Sequence, residues 1–432
     1  MFIDSLKLTN VRTFVKNELR FVHPDAEFRS RKEQAADVKE KRKWPVPKPK
    51  LPNVNLLLGD NGSGKSTVLQ AIVLAALGPA GPDAKLPLLN FVRFRQSAKA
   101  SAAPPNDAEI QASFLLHPQD GAKGKQVDSR LRFARKGELE RLEFLWREGD
   151  FDRRAWDRVF ESENDAFFCV AYGATRRVDT GDSSPMIRGG KTPFLRGQRL
   201  QSIFQDSFAL FPLSYWLPEL QSSDLERYEQ VVQLLNRMLG PGNFRFTGEM
   251  REREYLFERG GVGVPFRSLS DGYRSFIAWV ADLLYHVCYG CPSDKRLTES
   301  SGVVLVDEID LHLHPKWQMH AIRTVAQALP RMQFVFTSHS PLIVGSLEWM
   351  NIITLKTPAG TNRTTVKRLR QGIHGLDADQ ILLTDFFGLK TTRAKTKTTQ
   401  LDTLRTKARS GDRDAARKMI LAMAQGTEED EA

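Results

Sequence analysis

Apolar and polar positions along the chain alternate between two periods. Residues 2–8 and 19–22 alternate by twos and predict strands, with the polar and basic NVRTF between them as a turn. Residues 54–58 form a short apolar run, the pattern of a buried strand. Residues 66–77 keep helical spacing and stop at Gly78, Pro79 and Gly81. Strand-like runs follow at 109–116, 127–134 and 139–146, then a buried strand at 167–172. Residues 225–239 predict a helix, 244–264 a hairpin turning at Gly260 and Gly261, and 271–289 a second helix. Residues 303–306, 333–337 and 352–355 predict three more buried strands, with a helix over 315–329 entered by a proline. The stretch 97–107 predicts a surface loop, the stretch 177–199, with its Gly, Ser, Asp and Pro, a mobile one, and the chain after about residue 375 mostly helices.

Buried strands interleaved with helices make an α/β chain whose core is a parallel or mixed sheet. The alternating strands before it predict an N-terminal antiparallel β subdomain. The expected division is a first lobe over 1–175, a helical and insertion lobe over 176–300, the rest of the core over 301–372 and a helical C-terminal extension over 373–432.

A length of 432 residues permits two or three domains, and 41% hydrophobic with 27% charged residues is an ordinary globular balance. No apolar run reaches the roughly 18 residues a membrane helix needs, and MFIDSLKLTN lacks a signal-peptide layout. A cytoplasmic protein with no membrane partner is therefore expected. Three cysteines make no disulfide framework. Cys288 and Cys291 form a C-x-x-C pair, but a zinc site would have to recruit Cys169 and His286, so two small apolar residues at a helix end are the simpler reading. The net charge of +11 favours a polyanionic partner. It is concentrated in the segments 29–50 and 390–409, which read as solvated loops or as a nucleic-acid contact. Neither interleaves aromatic residues, so a nucleic acid held there would be held by its phosphates. The chain ends in an acidic EEDEA.

Chemistry concentrates in four places. Gly59-Asp60-Asn61-Gly62-Ser63-Gly64-Lys65-Ser66, followed by Thr67, fits G-x-x-x-x-G-K-[ST] between an apolar strand and a helix. Its glycines let successive amides face the phosphates of ATP, and the helix N-terminus adds partial positive charge. Lys65 is placed to reach the β- and γ-phosphates, and Ser66 to offer its hydroxyl to Mg²⁺. In VVLVDEID, Asp307 ends a buried strand where it can serve the metal, and Glu308 can polarise a water for attack. Thr337-Ser338-His339-Ser340-Pro341 follows the next buried strand, so His339 falls at the same edge and can bond the γ-phosphate. Leu269-Ser270-Asp271-Gly272-Tyr273 opens a helix.

LSDGY resembles the signature sequence of ATP-binding-cassette (ABC) ATPases, and its position between the phosphate loop and VVLVDE is that family's order. The resemblance implies a P-loop NTPase of the ABC class with a helical lobe carrying the signature. It also implies that Ser270, Asp271 and Gly272 of one chain close on the γ-phosphate bound to a second chain, so that a homodimer or higher homo-oligomer sandwiches its nucleotides. About two hundred residues separate phosphate loop and signature, without sustained heptads. That excludes transporter engines and long coiled-coil relatives. DEIDLHLHPKWQ, AYGATRR and HSPLIV resemble the compact bacterial anti-phage ATPases of the overcoming-lysogenization-defect and Septu type. Only about ninety residues follow His339, without a strand-bounded acidic cluster, which is more similar to the Septu type. The implied partner is a nuclease on a separate chain, of the H-N-H kind rather than the topoisomerase–primase kind. Asp310, His312, His314 and Pro315 match the family's interface loop. Arg12 and Phe14 resemble the N-R-x-F turn of recombination and chromosome-organising ATPases and are expected to flank the nucleotide. The family's metal-sensing glutamine is missing from AYGATRR, and Arg176 or Arg177 is the expected substitute facing the nucleotide. A DNA-repair or recombination clamp is the alternative function.

Overall fold

A computed structural model of the chain describes residues 1–28, 44–82, 84, 86, 90–94, 105–116, 126–137, 139–146, 151–160, 167–178, 197, 199–240, 244–292, 294–392 and 395–424. Most of the basic segment 29–50, of the loops 97–107 and 177–199, and the terminal EEDEA lie outside these residues. Met1–Gly375 forms one compact unit and Leu376–Ala432 another.

The first unit opens with β1 (Phe2–Val11) and β2 (Phe14–Arg20), antiparallel across a tight turn at Arg12 and Thr13. The second strand begins at Phe14 rather than at residue 19. Only Phe14 and Leu19 are buried within it, and its polar middle conceals the alternation. β3 (Val54–Gly59) leads through the phosphate loop into α1 (Lys65–Leu77). β4 (Asp107–Leu115), β5 (Gln126–Lys136) and β6 (Leu139–Phe144) complete an antiparallel sheet of order β2-β1-β4-β5-β6. After α2 (Phe151–Phe160) come β7 (Cys169–Tyr172) and a short parallel pair, β8 (Arg177–Val178) with β9 (Ala209–Leu210).

Helices α3 (Leu213–Ser223) and α4 (Leu225–Leu239) lead to β10 (Arg245–Arg251), β11 (Glu254–Arg259) and β12 (Val262–Pro265). These three strands form an antiparallel meander, where a single hairpin was predicted. The extra turn is made by Glu252 and Arg253 at φ 48° and 66°, positions where glycine or asparagine is the usual signal. α5 (Asp271–Gly290) carries the signature at its N-terminus. β13 (Gly302–Val306) is followed by α6 (Pro315–Gln318) and α7 (Ala321–Ala328), a break in the helix predicted over 315–329. Trp317, Ala321, Ile322 and Val325 stay buried across the break, so apolar spacing does not reveal it. β14 (Met332–Ser338), α8 (Pro341–Gly345), β15 (Ile352–Lys356) and β16 (Thr365–Lys367) complete the unit.

The central sheet has the order β16-β15-β3-β14-β13-β7, parallel throughout except for β16. Helix α1 lies between this sheet and the antiparallel one, packing against β4 and β5 and against β3, β7 and β14. It is apolar almost all round, as a helix enclosed by two layers must be, and Leu69, Ile72, Val73 and Leu74 have no exposed surface. Each such side chain contributes about 1.5–3 kcal/mol by leaving water. The phosphate loop is thereby mounted on a helix buried between the two sheets.

In the second unit, α9 (Ala378–Leu382) precedes α10 (Lys395–Arg409) and α11 (Arg413–Ala424), which pack together as a hairpin. Among the described residues, no helix is long and apolar enough to cross a membrane.

Candidate nucleotide site

Parallel register decides which residues meet. Val306 of β13 pairs with Phe336 of β14, and Ser338 of β14 pairs with Leu58 of β3. The residues just beyond, Asp307, Thr337, His339 and Gly59, therefore come out at one carboxyl edge, where ligands bind in open α/β sheets.

At that edge the loop Asp60–Gly64 turns into α1 with Gly62 at φ 77° and Gly64 at φ 96°. No side chain caps the helix, so the first-turn amides of Lys65, Ser66 and Thr67 are left for an anion. Gly64 has a second constraint: a Cβ there would stand 2.6 Å from the Phe14 ring. The NVRTF turn thus roofs the loop. Thr364 Oγ1, 2.9 Å from the Ser63 carbonyl and 2.8 Å from Thr13 Oγ1, ties loop and roof together.

Lys65 Nζ donates to the Gly59 carbonyl at 2.9 Å, to the Asp60 carbonyl at 3.3 Å and to His339 Nε2 at 2.7 Å. Burial lowers the pKa of Lys65, and the carboxylates of Asp307, Glu308, Asp60 and Asp310 oppose that shift. Burial also lowers that of His339, and the Lys65 charge adds to the effect. Asp307 is nearly buried, and its Oδ1 accepts from Thr337 Oγ1 at 2.5 Å. The Glu308 amide donates to the same Thr337 Oγ1 at 2.7 Å. Thr337 thus joins both acidic residues. Its hydroxyl, placed one strand over from Asp307, was the available signal, and sequence reasoning gave it only the reading of a helix cap.

Mg²⁺ suits this donor set. Ser66 and Asp307 present hard oxygen donors and no nitrogen or sulfur ligand, as expected for an ion that keeps several waters and binds phosphate oxygens. Among the described residues, no cluster of three or more His, Cys, Asp or Glu could hold a metal by itself. Burial pushes the Cys169 and Cys288 thiols up to about 12, so both are protonated at neutral pH.

The remaining sequence-selected residues fall into two groups. Arg12 braces α1: its Nη1 donates to Thr67 Oγ1 at 3.1 Å and to Gln70 Oε1 at 2.9 Å, and its guanidinium lies 4.5 Å from the Phe91 centroid. Arg176 donates to the carbonyls of Asp307 and Glu308, so it backs the acidic pair through the main chain. The side chain of Arg177 lies outside the described residues. Ser270 and Asp271 are exposed. Among the described residues, no hydrogen bond joins Ser270, Asp271 or Gly272 to the phosphate loop of the same chain. Gly272 instead faces the loop after Glu308, where a Cβ would stand 2.4 Å from the His312 carbonyl oxygen. His314 accepts from the Lys316 amide and caps α6. Trp317 in α6 packs edge-on against Tyr273 and Phe276 of α5, with centroids 5.1 and 4.6 Å apart. Gln318 accepts from Ser340 Oγ at 2.7 Å and donates to the Leu313 carbonyl at 2.9 Å. Short helix α6 therefore touches the signature helix, the loop after Glu308 and the residue after His339.

Parts of the chain match known families and proteins. A family profile described as "AAA domain" matches residues 5–153, and one described as "AAA domain, putative AbiEii toxin, Type IV TA system" matches residues 192–345. The Septu protein PtuA of Bacillus mycoides is 24% identical over 77% of this chain and 40% of its own length. The "Retron Vc95 probable ATPase" of Vibrio cholerae is 22% identical over 68% of this chain and 66% of its own. The chain thus spans about two fifths of that Septu protein. A solved SMC head domain from Thermotoga maritima aligns over 85% of this chain and 99% of its own at 13% identity, with a TM-score of 0.45. With its strand order, uncapped phosphate loop and paired acidic residues, the chain has the fold of a P-loop NTPase, and its sequence is similar to Septu and retron ATPase proteins.

Proposed function

We propose that the chain hydrolyses ATP in a bacterial anti-phage defence system, and that two copies close over two nucleotides to control a separately encoded nuclease. The supporting observation is the convergence of Lys65, Asp307, Glu308 and His339 on one sheet edge, with the Lys65 ammonium 2.7 Å from His339. In this reading Lys65 and the loop amides of Gly59–Thr67 hold the phosphates. Ser66 and Asp307 hold Mg²⁺, which when bound neutralises phosphate charge. Glu308 takes the proton of the attacking water, and His339 donates to the γ-phosphate from its ring. Ser270, Asp271 and Gly272 act on the second chain's nucleotide, in keeping with the lack, among the described residues, of any hydrogen bond from them to their own phosphate loop. Likeness to a Septu protein and to retron ATPases supports the defence setting, and in this reading the partner is an H-N-H nuclease rather than a topoisomerase–primase one.

The test is steady-state hydrolysis by the purified chain with Mg²⁺ and ATP. Glu308→Gln keeps ATP binding and loses turnover on the order of 10² or more. Full turnover in that variant removes Glu308 from the base role.

One observation keeps a second reading, a DNA-repair or recombination clamp. Helix α10, within the basic segment 390–409, exposes Arg405, Lys407 and Arg409. Salt-dependent DNA binding that requires ATP and is lost when these are neutralised selects the clamp; weak binding without ATP dependence rejects it.

A further inference from the structure

Arg176 sits just past β7 with only 8% of its surface exposed. Its Nη1 donates to the Asp307 carbonyl at 2.5 Å and its Nη2 to the Glu308 carbonyl at 2.9 Å. Both residues joined by the second bond have left-handed backbones, Arg176 at φ 29° and Glu308 at φ 46°. Neither is glycine, so each carries a cost of roughly 1–2 kcal/mol and holds only where its surroundings over-determine it.

What determines Glu308 can be read off its bonds. Thr337 Oγ1 accepts from its amide at 2.7 Å, and its carbonyl accepts from Arg176 and from the Leu311 amide at 3.0 Å. Among the described residues, no hydrogen bond or ion pair holds its carboxylate. With no side-chain partner to hold that carboxylate, the main chain of Glu308 is what places it. A guanidinium suits the task, because its planar fork can serve two adjacent carbonyls at once and its charge is not surrendered. Burial pulls the Arg176 pKa down to about 10, which still leaves it protonated at neutral pH.

We infer that Arg176 is a positioning residue for hydrolysis: by clamping the carbonyls of Asp307 and Glu308 it fixes the left-handed turn that aims the Glu308 carboxylate. The inference rests on the reading of Glu308 as general base. It takes Arg176 away from the phosphates, where the missing glutamine would stand, and gives it a role behind the base.

The experiment compares Arg176→Gln, Arg176→Lys and Glu308→Gln in the full chain, measuring kcat, KM, ATP affinity and melting temperature. Arg176→Gln is expected to lower kcat by about 10-fold to 10²-fold with KM and ATP affinity within about two-fold, because misaiming a reactive group costs the transition state rather than binding. Arg176→Lys, with a single donor nitrogen in place of a fork, falls between that variant and the parent. If Arg176→Gln does not fold, Arg176→Lys decides: reduced kcat at constant KM supports the clamp, and unchanged kcat overturns it. A fall in ATP affinity matching the fall in kcat also overturns it, since that is the signature of a phosphate contact. If Glu308→Gln loses turnover and Arg176→Gln does not, the clamp alone fails. If Glu308→Gln keeps full turnover, the base reading fails and the clamp with it.

Discussion

Lys65 Nζ and His339 Nε2 stand 2.7 Å apart, joining a helix that follows β3 to the loop that follows β14. The ammonium has only donors, so the imidazole must supply the lone pair and carry its proton on Nδ1. The pair holds together the groups that a γ-phosphate would separate.

That state is measurable. The His339 titration followed by NMR will have its midpoint below the ordinary value of 6.5, because burial and then the Lys65 charge disfavour the cation. Between the depressed folded value and 6.5 the unfolded chain binds more protons than the folded one. The stability contributed by the neutral ring is therefore complete above 6.5 and is lost as pH falls through that window. His339→Gln, which keeps an acceptor, will flatten this acid-side loss in melting temperature. A midpoint at or above 6.5 contradicts the donor assignment.

Thr337→Val tests the joint between the acidic residues. The new side chain matches in shape and removes the hydroxyl that bonds Asp307 Oδ1 and the Glu308 amide. With Thr337 fully buried, the loss should be about 1–3 kcal/mol. Denaturant unfolding measures it, and turnover should drop further than that loss of folded protein explains.

Gly272→Ala should disturb the molecule before any partner arrives, because the added Cβ meets backbone, the His312 carbonyl oxygen at 2.4 Å. Relief requires α5 and the loop after Glu308 to separate, at about 1–3 kcal/mol. A lowered melting temperature at concentrations where the chain is monomeric is expected. An unchanged one would leave Gly272 with only its role toward a second chain.

Ser270→Arg addresses that second role. Ser270 is exposed, so stability should change by no more than about 0.5 kcal/mol. ATP binding should persist while turnover drops at least about ten-fold, for want of a closed pair of chains. Assaying hydrolysis over a dilution series is the companion measurement. Turnover per chain that ignores dilution and survives the substitution would reject closure between chains.

Much of this site was legible because strand ends carry chemistry by register. Gly59–Ser66, Asp307 and His339 each follow an apolar run, and three parallel runs bring their ends to one edge. What stayed hidden was the wiring between motifs. Arg176 reads as a candidate phosphate ligand until its guanidinium is seen on two carbonyls. Thr337 reads as part of a cap until its hydroxyl is seen between two acidic residues. The turn at Glu252 and Arg253 escaped because left-handed residues that are not glycine leave no compositional trace. The break between α6 and α7 escaped because its buried residues keep helical spacing, yet that break shapes the short helix whose Trp317 and Gln318 reach three parts of the site.

The strand order has a consequence for how the protein is made. β3 lies between β14 and β15, so both of its hydrogen-bonding neighbours come from Met332–Lys356. On the ribosome, the segment that carries the phosphate loop waits with both edges unpaired until the chain beyond Lys356 has emerged. Pairing across so long a separation is slow, and an apolar strand with open edges invites wrong partners meanwhile. Nucleotide can find its cradle only once the chain as far as Lys356 has emerged, so a nascent chain shorter than that is switched off by its own topology.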